Sequence, residues 1–197
     1  MVISGCVGPR FDGYAPERIM SEEEAQAYHT AQIATFSATA ADLVSAFTMT
    51  NVNEAIGVTR AAAACDMPVA ISFTLETDGR LPGGETLQEA IEAVDKATGN
   101  AVLYYMINCV HPEHFEATLA AGEAWVARLR GIRANASRRS HAELDSAPDL
   151  DAGDPVELGG QYRSLVQRHN HFNVFGGCCG TDYRHVEQIA LACVAGV

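Results

Sequence analysis

Neither long apolar runs nor clustered positive charge mark this chain of 197 residues. Its longest apolar stretches reach about eight residues before a polar side chain interrupts them, far short of a bilayer span. The opening "MVISGCVGPR" carries no basic segment ahead of a long apolar core, so no signal peptide is expected. Lys and Arg number 13 against 25 Asp and Glu, a net charge of −12. That balance leaves nucleic acid and anionic membrane surfaces without the basic patch they require. Also missing is a glycine-rich phosphate loop behind the first apolar run, the usual mark of an open dinucleotide-binding sheet.

What is present suits a packed globule. Hydrophobic residues make up 48% and charged residues 19%, and the length fits a single domain over 1–197 with a sizeable core. Six cysteines without an export signal are expected to be reduced thiols in the cytoplasm, available for metal binding or catalysis.

Short apolar runs alternate with helix-like stretches. Strand-like segments fall at 2–7, 42–49, 69–75, 101–108, 131–137 and 172–177. Helical patterns follow at 21–40, 52–65, 85–97, 113–129, 155–168 and 181–195, the first opening on a Ser21/Glu24 capping box. The strand segments show little alternation, as when both faces of a sheet are covered. Six β-then-α units of about 30 residues predict a parallel sheet with right-handed crossovers, either doubly wound or part of a (β/α)8 barrel. Residues 138–155 read as an exposed acidic loop.

Parallel α/β sheets place their chemistry at the carboxyl ends of the strands. Those ends carry Cys6, Thr48, Thr74, Cys109, Asn135 and the adjacent pair Cys178 and Cys179 in "FGGCCGTD". Three thiolates hold Zn²⁺ well and leave a fourth tetrahedral position open for substrate. Cys109, Cys178 and Cys179 are therefore the candidate ligands, with flanking glycines allowing a tight backbone around the pair. Cys65 and Cys193 sit on helices and read as small hydrophobes, and Cys6 ends a strand without a partner motif. The histidines of "HPEH", His111 and His114, offer a rival i, i+3 pair, but Pro112 between them reads more simply as a capped, solvated helix entry. A redox role for the vicinal pair is weaker, because it lacks the two-residue spacing of disulfide oxidoreductases and leaves Cys109 unexplained.

Several segments together resemble the homocysteine S-methyltransferase family: "SGCVGPR" with "DGY" (4–14), "DLVSAFTMTNVNEAIG" (42–57), "INC" (107–109) and "GGCCGTD" (176–182). The resemblance covers essentially the whole chain. It implies a zinc-dependent (β/α)8 barrel that makes methionine, with the family's zinc thiols falling on Cys109, Cys178 and Cys179. Counting back from Cys178 as the end of the eighth strand, "VISGCV" becomes the third, so the expected fold is such a barrel lacking its first two βα units. Where the family commonly has Glu-Thr, this chain has Phe47-Thr48, and Phe11 replaces a usual glycine.

The expected activity moves a methyl group from a cationic donor to the thiolate of homocysteine, with Zn²⁺ as cofactor. Thr48, Ser72 and Asn108 are candidate substrate-orienting groups. Expected partners are these small molecules, with no nucleic acid and no membrane, and a homo-oligomer is allowed by open sheet edges. The competing expectation is a zinc-binding barrel fragment that is catalytically incomplete without its N-terminal part or a partner.

Overall fold

The computed structural model describes residues 1–14, 17–119 and 123–194. The chain divides into two compact units: Met1–Thr74 with Arg80–Met106, and Leu75–Gly79 with Ile107–Val197.

The first unit holds strand β1 (Ser4–Val7), helix α1 (Glu22–Ser37), β2 (Leu43–Met49), α2 (Val52–Ala64), β3 (Val69–Phe73), α3 (Leu87–Thr98) and most of β4 (Val102–Asn108). Its strands run in the order β1-β2-β3-β4, and the β1–β2 and β2–β3 pairings are parallel. Local chemistry sets the helix starts. Ser21 and Thr86 each accept from the backbone N–H three residues on, while Glu24 and Glu89 reach back to the cap N–H. All five residues of β3 are buried, which explains the absence of alternation in "VAISF". Phe73 and Tyr105 stack at 6.1 Å between ring centroids inside this core.

One polar cluster is buried among these apolar groups. His29 and Glu54, 1% and 3% exposed, meet through Nε2 and Oε1 at 2.9 Å. The same carboxylate oxygen accepts the backbone N–H of Arg10 at 2.8 Å and so ties down the loop after β1. Satisfying a buried carboxylate twice offsets the desolvation it suffers.

The second unit continues with the end of β4, α4 (Pro112–Phe115), β5 (Leu129–Ala134), α5 (His141–Asp145), α6 (Pro155–Arg168), β6 (Val174–Gly177) and α7 (Tyr183–Val194). β5 and β6 pair in parallel, with Ala134 opposite Gly177. The buried Tyr162 of α6 spans both strands. Its hydroxyl accepts from Ala134 N–H and donates to Gly176 O, each at 2.8 Å. Burial pushes its phenol pKa up, keeping the hydroxyl available as a donor.

Two expectations are corrected. No helix spans 113–129. After Pro112–Phe115 the chain makes 3₁₀ turns at Glu116–Thr118 and Val126–Arg128, with residues 120–122 outside the described set. The backbone of Leu119 (φ −87°, ψ 76°) leaves the helical region. This path buries Phe115, Leu119, Trp125 and Val126, an apolar set that a sequence window reads as one helical stripe. The acidic loop at 138–155 is likewise not wholly irregular, since Ser140 and Glu143 form a capping box that starts α5.

Among the described residues, the architecture is an α/β fold of six parallel strands, consistent with part of a (β/α)8 barrel. No described helix is long and apolar enough to cross a membrane.

Candidate metal centre

The sulfurs of Cys109, Cys178 and Cys179 all lie within 4.8 Å of one another. Cys109 and Cys179 approach to 3.6 Å between Sγ atoms, although 70 residues separate them in sequence. Zn–S bonds of about 2.3 Å at tetrahedral angles would set neighbouring sulfurs about 3.8 Å apart. The donor set and its spacing thus fit a thiolate-preferring divalent ion.

Sheet register produces this convergence. Cys109 N–H donates to Arg133 O of β5 at 3.1 Å, and Cys178 N–H donates to Ala134 O at 2.8 Å. The ends of β4 and β6 are therefore anchored to consecutive residues of the strand between them. Asn135, one residue on, accepts Cys179 N–H on its side-chain oxygen at 3.1 Å, and Ala136 N–H donates to Cys179 O at 3.0 Å. Thr181 closes the turn, its hydroxyl and amide both donating to Cys178 O at 2.6 and 3.1 Å. Gly180 takes φ 77°, and a Cβ there would lie 2.6 Å from Asp151 O. Only glycine suits that position.

Cys109 itself adopts φ 56°, left-handed backbone that costs a non-glycine residue about 1–2 kcal/mol. It is 3% exposed, whereas Cys178 is half-buried and Cys179 exposed. The cluster thus has a closed side and an open one. The neighbouring Cys109 thiol first, then Cys179 and burial, raise the pKa of Cys178 above its ordinary value. Crowded thiolates repel one another, and a divalent cation would supply the missing counter-charge.

The other candidates are distributed as follows. Asn108, 2% exposed, is the last residue of β4 and precedes Cys109 in this unit. Ser72 is buried within β3, and Thr48 is half-buried near the end of β2, both in the first unit. His111 does cap Pro112–Phe115, its Nδ1 accepting from Glu113 N–H. It is 3% exposed, however, so the solvated entry expected there is instead a buried one. Burial lowers its pKa to about 4. The only group of three or more close metal-binding side chains among the described residues is the three-cysteine cluster, and it includes neither histidine. Cys65 caps the end of α2 and Cys193 lies on α7, both half-buried rather than in the core.

Two neighbours of the cluster carry no sequence signal. His141, whose side chain is 8% exposed, donates from Nε2 to Cys109 O at 2.6 Å. Its Nδ1 faces Glu76 Oε1 at 3.3 Å. They lie 32 and 33 residues from Cys109, and no motif spacing links them to it.

The homocysteine methyltransferase MmuM of Escherichia coli in its metallated form superposes with TM-score 0.71 at 21% identity, over all of this chain and 62% of that one. Its apo form gives 0.68 at 22% identity over 100% and 64%. The oxidised form gives 0.67 at 20% over 93% and 55%. The chain thus spans about three-fifths of the length of these solved structures, which at such identity share its fold. No curated protein matches the sequence. A family model described as homocysteine S-methyltransferase matches residues 1–193, and on that match across both units the chain belongs to the homocysteine S-methyltransferase family.

Proposed function

We propose that this chain holds the metal site of a zinc-dependent S-methyltransferase that moves a methyl group from a cationic donor to homocysteine, giving methionine. The observation that carries the reading is the meeting of Cys109, Cys178 and Cys179 within 4.8 Å, on strand ends distant in sequence. Family membership across residues 1–193 supports it, as does likeness to a metallated homocysteine methyltransferase. In this reading both units belong to one homocysteine-binding domain, and the six repeats correspond to strands three to eight of a (β/α)8 barrel.

Cys109, Cys178 and Cys179 would hold the zinc. When bound, zinc supplies a Lewis acid that lets a thiol at the fourth position lose its proton near neutral pH. The chain's own part is to fix the three sulfurs before substrate arrives. β5 does this through Arg133 O, Ala134 O and the Asn135 side chain, each taking an amide from a ligand residue. Exposure of Cys179 leaves the approach open. In the transfer, a lone pair on the homocysteine sulfur forms the new S–CH₃ bond. The bond from that methyl to the donor's positive centre breaks, and its electron pair leaves with the now neutral donor. Asn108, Thr48 and Ser72 are the proposed substrate-orienting groups, with readout in the KM for homocysteine.

The test joins zinc stoichiometry with methionine formation. The wild-type chain is expected to bind one equivalent of zinc and to turn over, and Cys178→Ser to lose both. A Cys178→Ser protein with full zinc and full activity ends the reading.

A further inference from the structure

We propose that His141, backed by Glu76, is a positioning residue for the metal centre: its Nε2–H holds the Cys109 carbonyl out of the sheet and so aims the Cys109 sulfur at its partners. The inference rests on the reading of the three cysteines as a metal site.

The ladder between β4 and β5 is interrupted at Cys109. In a regular parallel pair, an amide donated from residue i to residue j is followed by one returned from j+2 to the carbonyl of i. Cys109 N–H donates to Arg133 O, so Asn135 N–H would ordinarily return to Cys109 O. Instead it donates to Val110 O at 3.1 Å. The left-handed turn at Cys109 has rotated its carbonyl away from β5.

A buried carbonyl displaced in this way needs a new donor. His141 Nε2 provides it at 2.6 Å. Strained backbone persists where its surroundings over-determine it, and this hydrogen bond is one such constraint. His141 is itself held from two sides. It begins α5 directly after the Ser140 cap, whose box with Glu143 fixes where the helix starts. Its far nitrogen meets the Glu76 carboxylate at 3.3 Å. The same two residues line a small pocket with His111, His114, Asn135 and Arg139, so a shorter side chain at 141 would let water compete for the carbonyl.

The role is read through metal affinity, which can be measured without turnover. Groups that orient metal ligands typically contribute about 10–100-fold to affinity. His141→Gln and His141→Asn form a matched pair. The Gln amide nitrogen reaches about as far as Nε2, whereas that of Asn reaches only about as far as Nδ1. Each variant of the 197-residue chain is titrated with Zn²⁺ against a chelator and with Co²⁺, following the thiolate-to-cobalt charge-transfer band.

The expected result is near wild-type zinc affinity for His141→Gln and a loss of at least about tenfold for His141→Asn, with a weaker cobalt band. Glu76→Gln, which keeps a polar partner beside Nδ1, is expected to lose less than His141→Asn. Equal affinities for the Gln and Asn variants overturn the inference, as does wild-type affinity in both. If either variant fails to fold by circular dichroism, the same comparison is made between Glu76→Gln and Glu76→Ala, where equal, wild-type affinities overturn it. A wild-type chain that binds no zinc is a separate outcome, removing the proposed function and this inference together.

Discussion

Thr48 and Cys109 share an unusual backbone. Near the end of β2 in the first unit, Thr48 takes φ 59°, and just past the end of β4 in the second, Cys109 takes φ 56°. Both are non-glycine residues in left-handed geometry, a genuine outlier for β-branched Thr48. Their surroundings differ. A Cβ on Gly13 would lie 2.9 Å from Thr48 Cγ2, so the loop after β1 packs tightly against that side chain. Cys109 instead directs its sulfur to Cys179 and leaves its carbonyl to His141. The same conformation goes with a tight backbone approach at one strand end and, in the proposed reading, presents a metal ligand at the other. Backbone strain marks a place worth examination; the side chain and its neighbours decide what it does.

Paired glycine substitutions sharpen that contrast. Cys109→Gly relieves the strain but deletes a proposed ligand, and zinc affinity is expected to fall by more than about a hundredfold in a chelator competition. Thr48→Gly relieves the same strain without touching the cluster. Its zinc affinity should match wild type, and its urea-unfolding free energy should change by less than about 1 kcal/mol. Loss of zinc in Thr48→Gly would abolish the distinction.

The next effect belongs to the buried cap beside the second turn. Burial favours neutral His111, whose pKa in the fold is about 4 against an ordinary 6.5. Between those values the unfolded chain binds more protons than the folded one, so stability rises with pH. The contribution is complete above about pH 6.5 and is lost as pH falls toward 4, a loss of up to about 3 kcal/mol. His111→Asn keeps a capping side chain and should flatten this slope in unfolding curves of the metal-free protein. An unchanged slope would show that other groups set the acid sensitivity.

Smaller still is the effect of Tyr162→Phe. It strips the hydroxyl that serves both Ala134 N–H and Gly176 O, and should cost about 1–2 kcal/mol in urea unfolding. Gly176 stands two residues before Cys178, so a modest drop in zinc affinity should accompany it. Destabilisation without any change in affinity would separate the support of β6 from the geometry of the sulfurs.

Much of this was legible in the order of residues. The Ser21 and Thr86 caps, the buried run of β3 and the glycines around Cys178 each follow from neighbours a few positions apart. Chemistry at strand ends also made the three thiols readable as a set. The reading failed where an apolar stripe at helical spacing, Phe115 to Leu129, was buried by short turns instead. His141 and Glu76 were not readable, because a histidine in a polar loop and a glutamate after a strand carry no local pattern.

The split has a physical basis. Capping, strand hydrophobicity and the choice of cysteine are properties of short segments, present before any of them packs, and they pointed to six βα repeats and to thiols as the candidate metal-binding groups. The distance between sulfurs 70 residues apart, the turned carbonyl of Cys109 and the imidazole that meets it depend on how β4, β5 and β6 align. Register is a collective property of paired strands, so only the assembled sheet could decide it.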